Sequence, residues 1–300
     1  MSFDPAPVIL FVHRRPSHTR KTLRALAANA GAKDSELIIF SDGPRDPGER
    51  EKVSQVRKIC AELTGFARVE RIDREENLGL AASILQGVGE DLQRKGKVIV
   101  LEDDLLTHPS FLTYMNGALD AYQDHPEILS VSSYLPPRWR MPRSKKHRQH
   151  VWLYPRNLSY GWGTWSEKWD TVDWTQAAKD NFPERPDLQS GFAKGGADLP
   201  GMLTAQMEGR LDSWSVRFSY AHYRSDRFSL LPVESYVKPI GFDGSGVNCR
   251  LNPTRWLEST RRAVKNPEFP PQPEIDQDLT RSLRRSFDRH HRLAEWLRIS

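Results

Sequence analysis

Residues 97–105 read KVIVLEDDL, a short apolar run from Val98 to Leu101 that breaks off into Glu102, Asp103 and Asp104. A run of this length that ends so abruptly reads as a buried strand. In an open parallel sheet, ligands collect at the carboxyl ends of the strands, and three adjacent carboxylates there repel one another unless a cation relieves them. A hard divalent ion, Mg²⁺ or Mn²⁺, suits such a cluster, because it takes one or two carboxylates and completes its shell with diphosphate oxygens and water. The plainer alternative is that the acidic triplet begins a loop or caps the next helix.

The chain on the amino-terminal side makes the first reading the stronger one. Val8–Val12 is a strand-length apolar run, and Leu23, Leu26 and Ala30 then recur at helical spacing behind a cap at Ser17 or Thr19. Residues 36–40 (ELIIF) give a second strand, Val53, Val56, Cys60 and Leu63 a second helical stripe, 66–72 a third strand, and Leu80, Ile84 and Val88 a third helix. Strands alternating with helices in this way predict an α/β fold with a mostly parallel sheet flanked by helices. Beyond Asp104 the pattern loosens to a helix over 111–122, a strand over 128–132 and a Trp-rich region from Trp139 to Trp174. Residues 1–250 are read as the catalytic domain, and 251–300 as a Pro- and charge-rich linker or wrapping arm with a basic amphipathic helix at its end.

The 300 residues carry a net charge of +5, which permits phosphate-bearing partners without choosing among them. Neither basic stretch, RWRMPRSKKHRQH at 138–150 nor the arginines from Arg281 to Arg298, has the form of a DNA- or RNA-binding motif, so no nucleic acid is expected. The run at 8–12 is too short for a signal sequence or a membrane span, and Cys60 and Cys249 form no disulfide framework, so a cytoplasmic protein is expected.

Six segments taken in order, HRRPSHTRKTL from His13, FSDGPR from Phe40, REENLGL from Arg74, VLEDDL from Val100, YGWGTW from Tyr160 and LDSW from Leu211, resemble the GT-A glycosyltransferases. The likeness is to their inverting branch, which includes N-acetylglucosaminyltransferase I and bacterial surface-polysaccharide transferases. It implies a metal-dependent enzyme that moves a sugar, with inversion, from a nucleoside diphosphate donor, a UDP-sugar, to a glycan or lipid-linked acceptor. By that resemblance Asp104 is the metal ligand, Glu102 and Asp103 contact the donor sugar, the ribose or metal-bound water, Arg15 lies by the phosphates, and Asp42 accepts from the base. Arg74 and Asn77 fall in the segment before the donor-lining helix. Each has a plainer reading too: Arg15 as a solvated loop charge, Asp42 with Gly43 as a turn, and Asn77 as a helix cap.

An inverting transferase needs a general base opposite the leaving diphosphate. The resemblance places it at Asp212, just before a tryptophan-bearing helix; the plainer reading makes Asp212 that helix's N-cap. Ser213 stands where the related enzyme has a second acid, which leaves the register open by one residue. Tyr160, Trp162 and Trp165 offer flat faces to sugar rings, with Gly161 and Gly163 allowing close backbone approach. Trp162 is the candidate for acceptor binding, against core packing as the rival. His222 has no spacing partner and reads as a surface or satisfied group.

Three rival functions bear on the same residues. A sugar nucleotidyltransferase would want a Gly-rich loop after the first strand, and HRRPSHT has no glycine. A Mg²⁺-dependent phosphohydrolase would want a nucleophilic Asp there, and a catalytically silent nucleotide- or sugar-binding module is the third. In the tail, Leu279, Leu283, Phe287, His291, Ala294 and Leu297 form an apolar stripe among arginines. Residues 279–300 therefore read either as a peripheral anchor on an anionic membrane or as a helix packed on the catalytic domain.

Overall fold

The computed structural model describes residues 4–136, 149–243 and 263–287. The first half alternates as β1 (Val8–Val12), α1 (Pro16–Ala27), β2 (Glu36–Ser41), α2 (Arg50–Ala61), β3 (Arg68–Asp73), α3 (Leu80–Lys95) and β4 (Lys97–Glu102). There follow β5 (Leu105–Thr107), α4 (Phe111–Ala121), β6 (Ile128–Ser132), β7 (Val151–Tyr154), β8 (Trp162–Trp165), α5 (Ser166–Trp169), α6 (Gln176–Lys179), α7 (Pro186–Phe192) and α8 (Leu199–Met207). The described chain closes with α9 (Trp214–Arg224), β9 (Phe228–Pro232), β10 (Val237–Pro239) and α10 (Gln277–Ser286).

The eight-stranded sheet runs β3-β2-β1-β4-β8-β6-β9-β7, and its first four strands are parallel. Successive side chains on a strand point to opposite faces. Val8, Leu10 and Val12 accordingly meet Leu23, Leu26 and Val56 from α1 and α2, while Ile9 and Phe11 meet Ile84 and Val88 from α3. Both faces are covered, which is why these strands read as unbroken apolar runs. From β1 the chain builds outward through β2 and β3, then crosses back to β4 on the other side of β1. That reversal is a topological switch point, and it opens a crevice at the carboxyl ends of β1 and β4.

The second half is built differently. Residues 162–165 form an antiparallel strand between β4 and β6, and short helices α6 to α9 gather a separate cluster around Phe182, Phe192, Leu203 and Tyr220. Gly163 permits β8 to close on β4, since a Cβ there would lie 2.7 Å from the Val98 carbonyl oxygen, and a Cβ on Gly161 would lie 2.4 Å from Ser133 Oγ. These glycines make room for the sheet rather than for a ligand.

Residues 263–276 are an arm wrapped on the domain: Tyr122 Oη donates to Pro270 O at 2.8 Å, Tyr236 Oη to Val264 O at 2.9 Å, and Leu153 N to Glu274 O at 2.9 Å. α10 then buries Leu279 and Leu283 in the main core. In its described part the tail's apolar stripe packs on the domain; the remaining stripe residues His291, Ala294 and Leu297 lie outside the described residues. Among the described residues no helix is long and apolar enough to cross a membrane.

Candidate active site

The register Phe11↔Glu102 sets the loop after β1 beside the loop after β4. Arg15 reaches across it. Its Nη2 donates to Asp103 Oδ1 and its Nη1 to Asp104 Oδ2, the latter at 2.9 Å. Asp103 is 3% exposed and further held by the His13 amide, while its carbonyl accepts from Thr22 Oγ1 at 2.9 Å. Burial works against the charge on Arg15, but Asp103 and then Asp104 outweigh it and hold the guanidinium above its ordinary pKa. Burial, and then the neighbouring Asp104 charge, push Glu102 up to about 8. The Glu102 side chain has no hydrogen bond or ion pair among the described residues.

The other wall of the crevice is made by the segment after β3. Gly43 N–H donates to Glu76 O at 3.0 Å, and a Cβ on Gly43 would lie 2.4 Å from the Glu75 carbonyl oxygen. Only glycine fits so close an approach. Asp42 binds both ends of that segment's turn, its two carboxylate oxygens each accepting at 3.0 Å from the Leu78 and Gly79 amides. Asn77 Nδ2 donates to Gly43 O at 2.7 Å and lies 3.1 Å from His13 Nε2. Gly79, not Asn77, occupies the cap position of α3. Arg74 donates to Ser83 Oγ at 2.6 Å and stacks on Phe40. Arg15, Asp42, Arg74, Asn77, Glu102, Asp103 and Asp104 thus lie around one crevice at the strand ends, with Arg74 turned toward α3.

Asp212 approaches the same crevice from the second half of the chain: its Oδ2 lies 3.6 Å from where a Gly79 Cβ would be. It is exposed, with no hydrogen bond or ion pair among the described residues. Ser213 is the N-cap of α9, accepting from Val216 N, so the cap reading of Asp212 is set aside. Trp162 differs from expectation. It is 1% exposed, its ring centroid 4.7 Å from that of Trp214 and 5.8 Å from that of Trp169, so neither face is open to a sugar. His222 is wholly buried; its Nδ1 donates to Phe218 O at 2.7 Å, which leaves Nε2 to accept from Ser130 Oγ at 2.9 Å. Burial pushes it down to about 4.

Other contributors escape a linear reading. Thr22, in the middle of α1, holds the Asp103 backbone. The loop after β10 delivers Gly241 against the acidic cluster, where a Cβ would lie 2.0 Å from Asp104 Oδ2, and Ile240 N donates to Asp104 O at 2.8 Å. More than a hundred residues separate Gly241 from Asp104, and only the pairing of β10 with β5 brings them together.

A mostly parallel sheet flanked by helices, with an acidic strand end and a cationic loop at its switch point, is a GT-A-like α/β fold. The sequence pattern of glycosyl transferase family 2 matches residues 8–177, more than half the chain, and the chain belongs to that family of enzymes. No curated protein matches it in sequence. Solved structures similar to it include S. aureus TarS residues 1–349, at 12% identity and a TM-score of 0.41 over 77% of this chain and 59% of that one. A mannosyltransferase from Pyrobaculum calidifontis, in complex with GDP-Man and Mn²⁺, gives 15% and 0.41 over 75% and 72%. A UDP-glucose pyrophosphorylase complexed with UDP-glucose gives 12% and 0.37 over 78% and 92%. The chain therefore spans 59% of the length of the TarS fragment.

Proposed function

We propose that the chain is an inverting, divalent-metal-dependent glycosyltransferase that moves a sugar from a UDP-sugar to a glycan or lipid-linked acceptor, with residues 1–250 as the catalytic unit. The observation that carries the reading is the meeting of Arg15 with Asp103 and Asp104 at the switch point of a family 2 chain.

Among the described residues no three His, Cys, Asp or Glu side chains form a metal cage on their own. The donor set nevertheless fits a hard cation that is held mainly by its substrate: Asp104 would be the direct ligand, Glu102 and Asp103 would face the donor sugar, the ribose or metal-bound water, and Gly241 keeps any side chain away from Asp104 Oδ2. Mg²⁺ or Mn²⁺ bound there supplies charge to stabilise the departing diphosphate. Arg15 acts by exchange. In the free protein it pairs with both Asp103 and Asp104, and the diphosphate then offers it a competing anion with matching fork geometry. Asp42 fixes the 77–79 turn through two amides, and its remaining lone pairs stay available to the uracil N3–H.

On the acceptor side, Asp212 takes the proton from the acceptor hydroxyl as that oxygen bonds to the anomeric carbon. The bond from the anomeric carbon to the diphosphate oxygen breaks, and UDP leaves from the opposite face. Asp212 is suited to this by its exposure and its lack of a committed partner.

The test is a calorimetric screen of UDP, GDP and CDP against the protein with and without Mn²⁺. UDP binding that requires Mn²⁺ is expected. Metal-independent binding, or a preference for GDP or CDP, overturns the metal or the donor part of the reading.

A further inference from the structure

α10 is positioned by the face that buries Leu279, Leu283 and Ser286, and by Asp276 Oδ1, which accepts from the Asp278 and Leu279 amides at 2.9 and 2.8 Å. Arg281, Arg284 and Arg285 lie exposed on its other faces. Just past its end, Phe287 lies 3.9 Å from the Arg156 guanidinium, and Arg156 is itself clamped by Asp198 at 2.7 and 3.1 Å.

Between α10 and the segment 193–197 is a cavity of about 300 Å³. Ala193 and Ala197 form one wall; Thr280, Arg281, Arg284 and Arg285 are on the other. The charge on that wall has one sign. Arg281 has Asp278 at 3.7 Å, but Arg284 and Arg285 have no carboxylate partner among the described residues. Asp198, next along the chain from Ala197, is committed to Arg156. Arg281 and Arg285 sit four residues apart, a spacing at which like charges on a helix repel. Thr280 Oγ1 is buried there without a hydrogen-bond partner.

Guanidinium forks recognise phosphoryl oxygens bidentately, and a cavity lined by arginines, two of them without a carboxylate partner among the described residues, has that chemistry. We propose that this cavity binds a phosphoryl or diphosphoryl group. None of its lining residues belongs to the switch-point crevice, so it is a second anion site and stands whether or not the donor is a UDP-sugar. The volume is at the lower end of small-ligand pockets and exceeds what a bare phosphate needs. The group belongs either to a soluble phosphorylated molecule or to a membrane-borne headgroup.

Hydrogen–deuterium exchange on the full chain, in metal-free buffer with inorganic pyrophosphate, is expected to show added protection in 193–197 and 277–286. A second arm measures co-sedimentation with phosphatidylcholine vesicles with and without phosphatidic acid. Protection by pyrophosphate alone assigns the soluble source, and phosphatidate-dependent binding assigns the headgroup. In either arm the Arg284→Gln/Arg285→Gln variant should lose about tenfold or more in affinity with an unchanged melting temperature. No protection together with no phosphatidate dependence in the wild type overturns the proposal, and so does a double variant that responds as the wild type does. Because the wild-type measurement localises the site by itself, it remains decisive even if the variant fails to fold.

Discussion

The two sides of the crevice treat charge in opposite ways. At the ends of β1 and β4, Arg15 pairs with both Asp103 and Asp104, and Thr22 and Ile240 hold the backbone of the two acids. At the start of α9, Asp212 stands exposed beside Gly79 with no committed partner, and the nearby Arg217 carries a buried Nε without a hydrogen bond. A site that must hold a diphosphate gains from charges already in place. A site that must accept a proton needs a carboxylate whose lone pairs are unoccupied. Under the proposed function, the contrast corresponds to donor binding in the first half of the chain and proton transfer in the second.

Asp212→Asn tests that division with the largest effect. Turnover should fall by about 10²–10⁴-fold, while UDP affinity in the presence of Mn²⁺ stays within about twofold, because a base acts on the acceptor rather than on the diphosphate. A matched loss of donor affinity would move Asp212 to the binding side. Trp162→Ala is expected to cost about 3–5 kcal/mol of stability in urea melts, the range for emptying a buried aromatic site. If stability held and only the acceptor KM rose, the ring would belong to the cleft after all.

Arg15→Gln should weaken UDP–Mn²⁺ binding by about ten- to a hundredfold, since charge-assisted hydrogen bonds to the diphosphate are lost. It should also destabilise the free protein by less than the ~3–5 kcal/mol of a fully buried pair, because Asp103 keeps its amide partner and Arg15 is partly exposed. Unchanged UDP affinity would show that Arg15 serves only the fold. The smallest effect concerns the support of the acceptor wall. His222, on α9, has its pKa lowered by burial to about 4, so the unfolded chain binds this proton more readily than the folded one. Its contribution is complete above the unfolded pKa of about 6.5 and is lost as pH falls toward 4. Between pH 7 and pH 5 the loss should be on the order of 2 kcal/mol in denaturant titrations, and His222→Gln should flatten that slope.

The same contrast explains what the sequence disclosed. The strands β1, β2 and β4 are buried on both faces, so their apolar runs and the acid that ends β4 are visible in a linear reading. The carboxylate just before a helix was visible in LDSW, although Ser213 rather than Asp212 caps that helix. Trp162 was misjudged because residue type does not say whether an indole stacks on a sugar or on Trp214. Gly241 gave no signal at all, since its role depends on the β5–β10 pairing. Asp42 was legible as a turn residue, yet its clamp on the Leu78 and Gly79 amides required the distance between two loops 36 residues apart.

The most direct measurement of the central claim is calorimetric titration of UDP into the wild type and Asp104→Ala, each with Mn²⁺ and with excess chelator. The account predicts that the wild type binds UDP only with Mn²⁺, and that Asp104→Ala loses this metal-dependent binding while keeping the wild-type melting temperature to within a few degrees. Equal affinity of the two proteins for UDP in the presence of Mn²⁺ would contradict it.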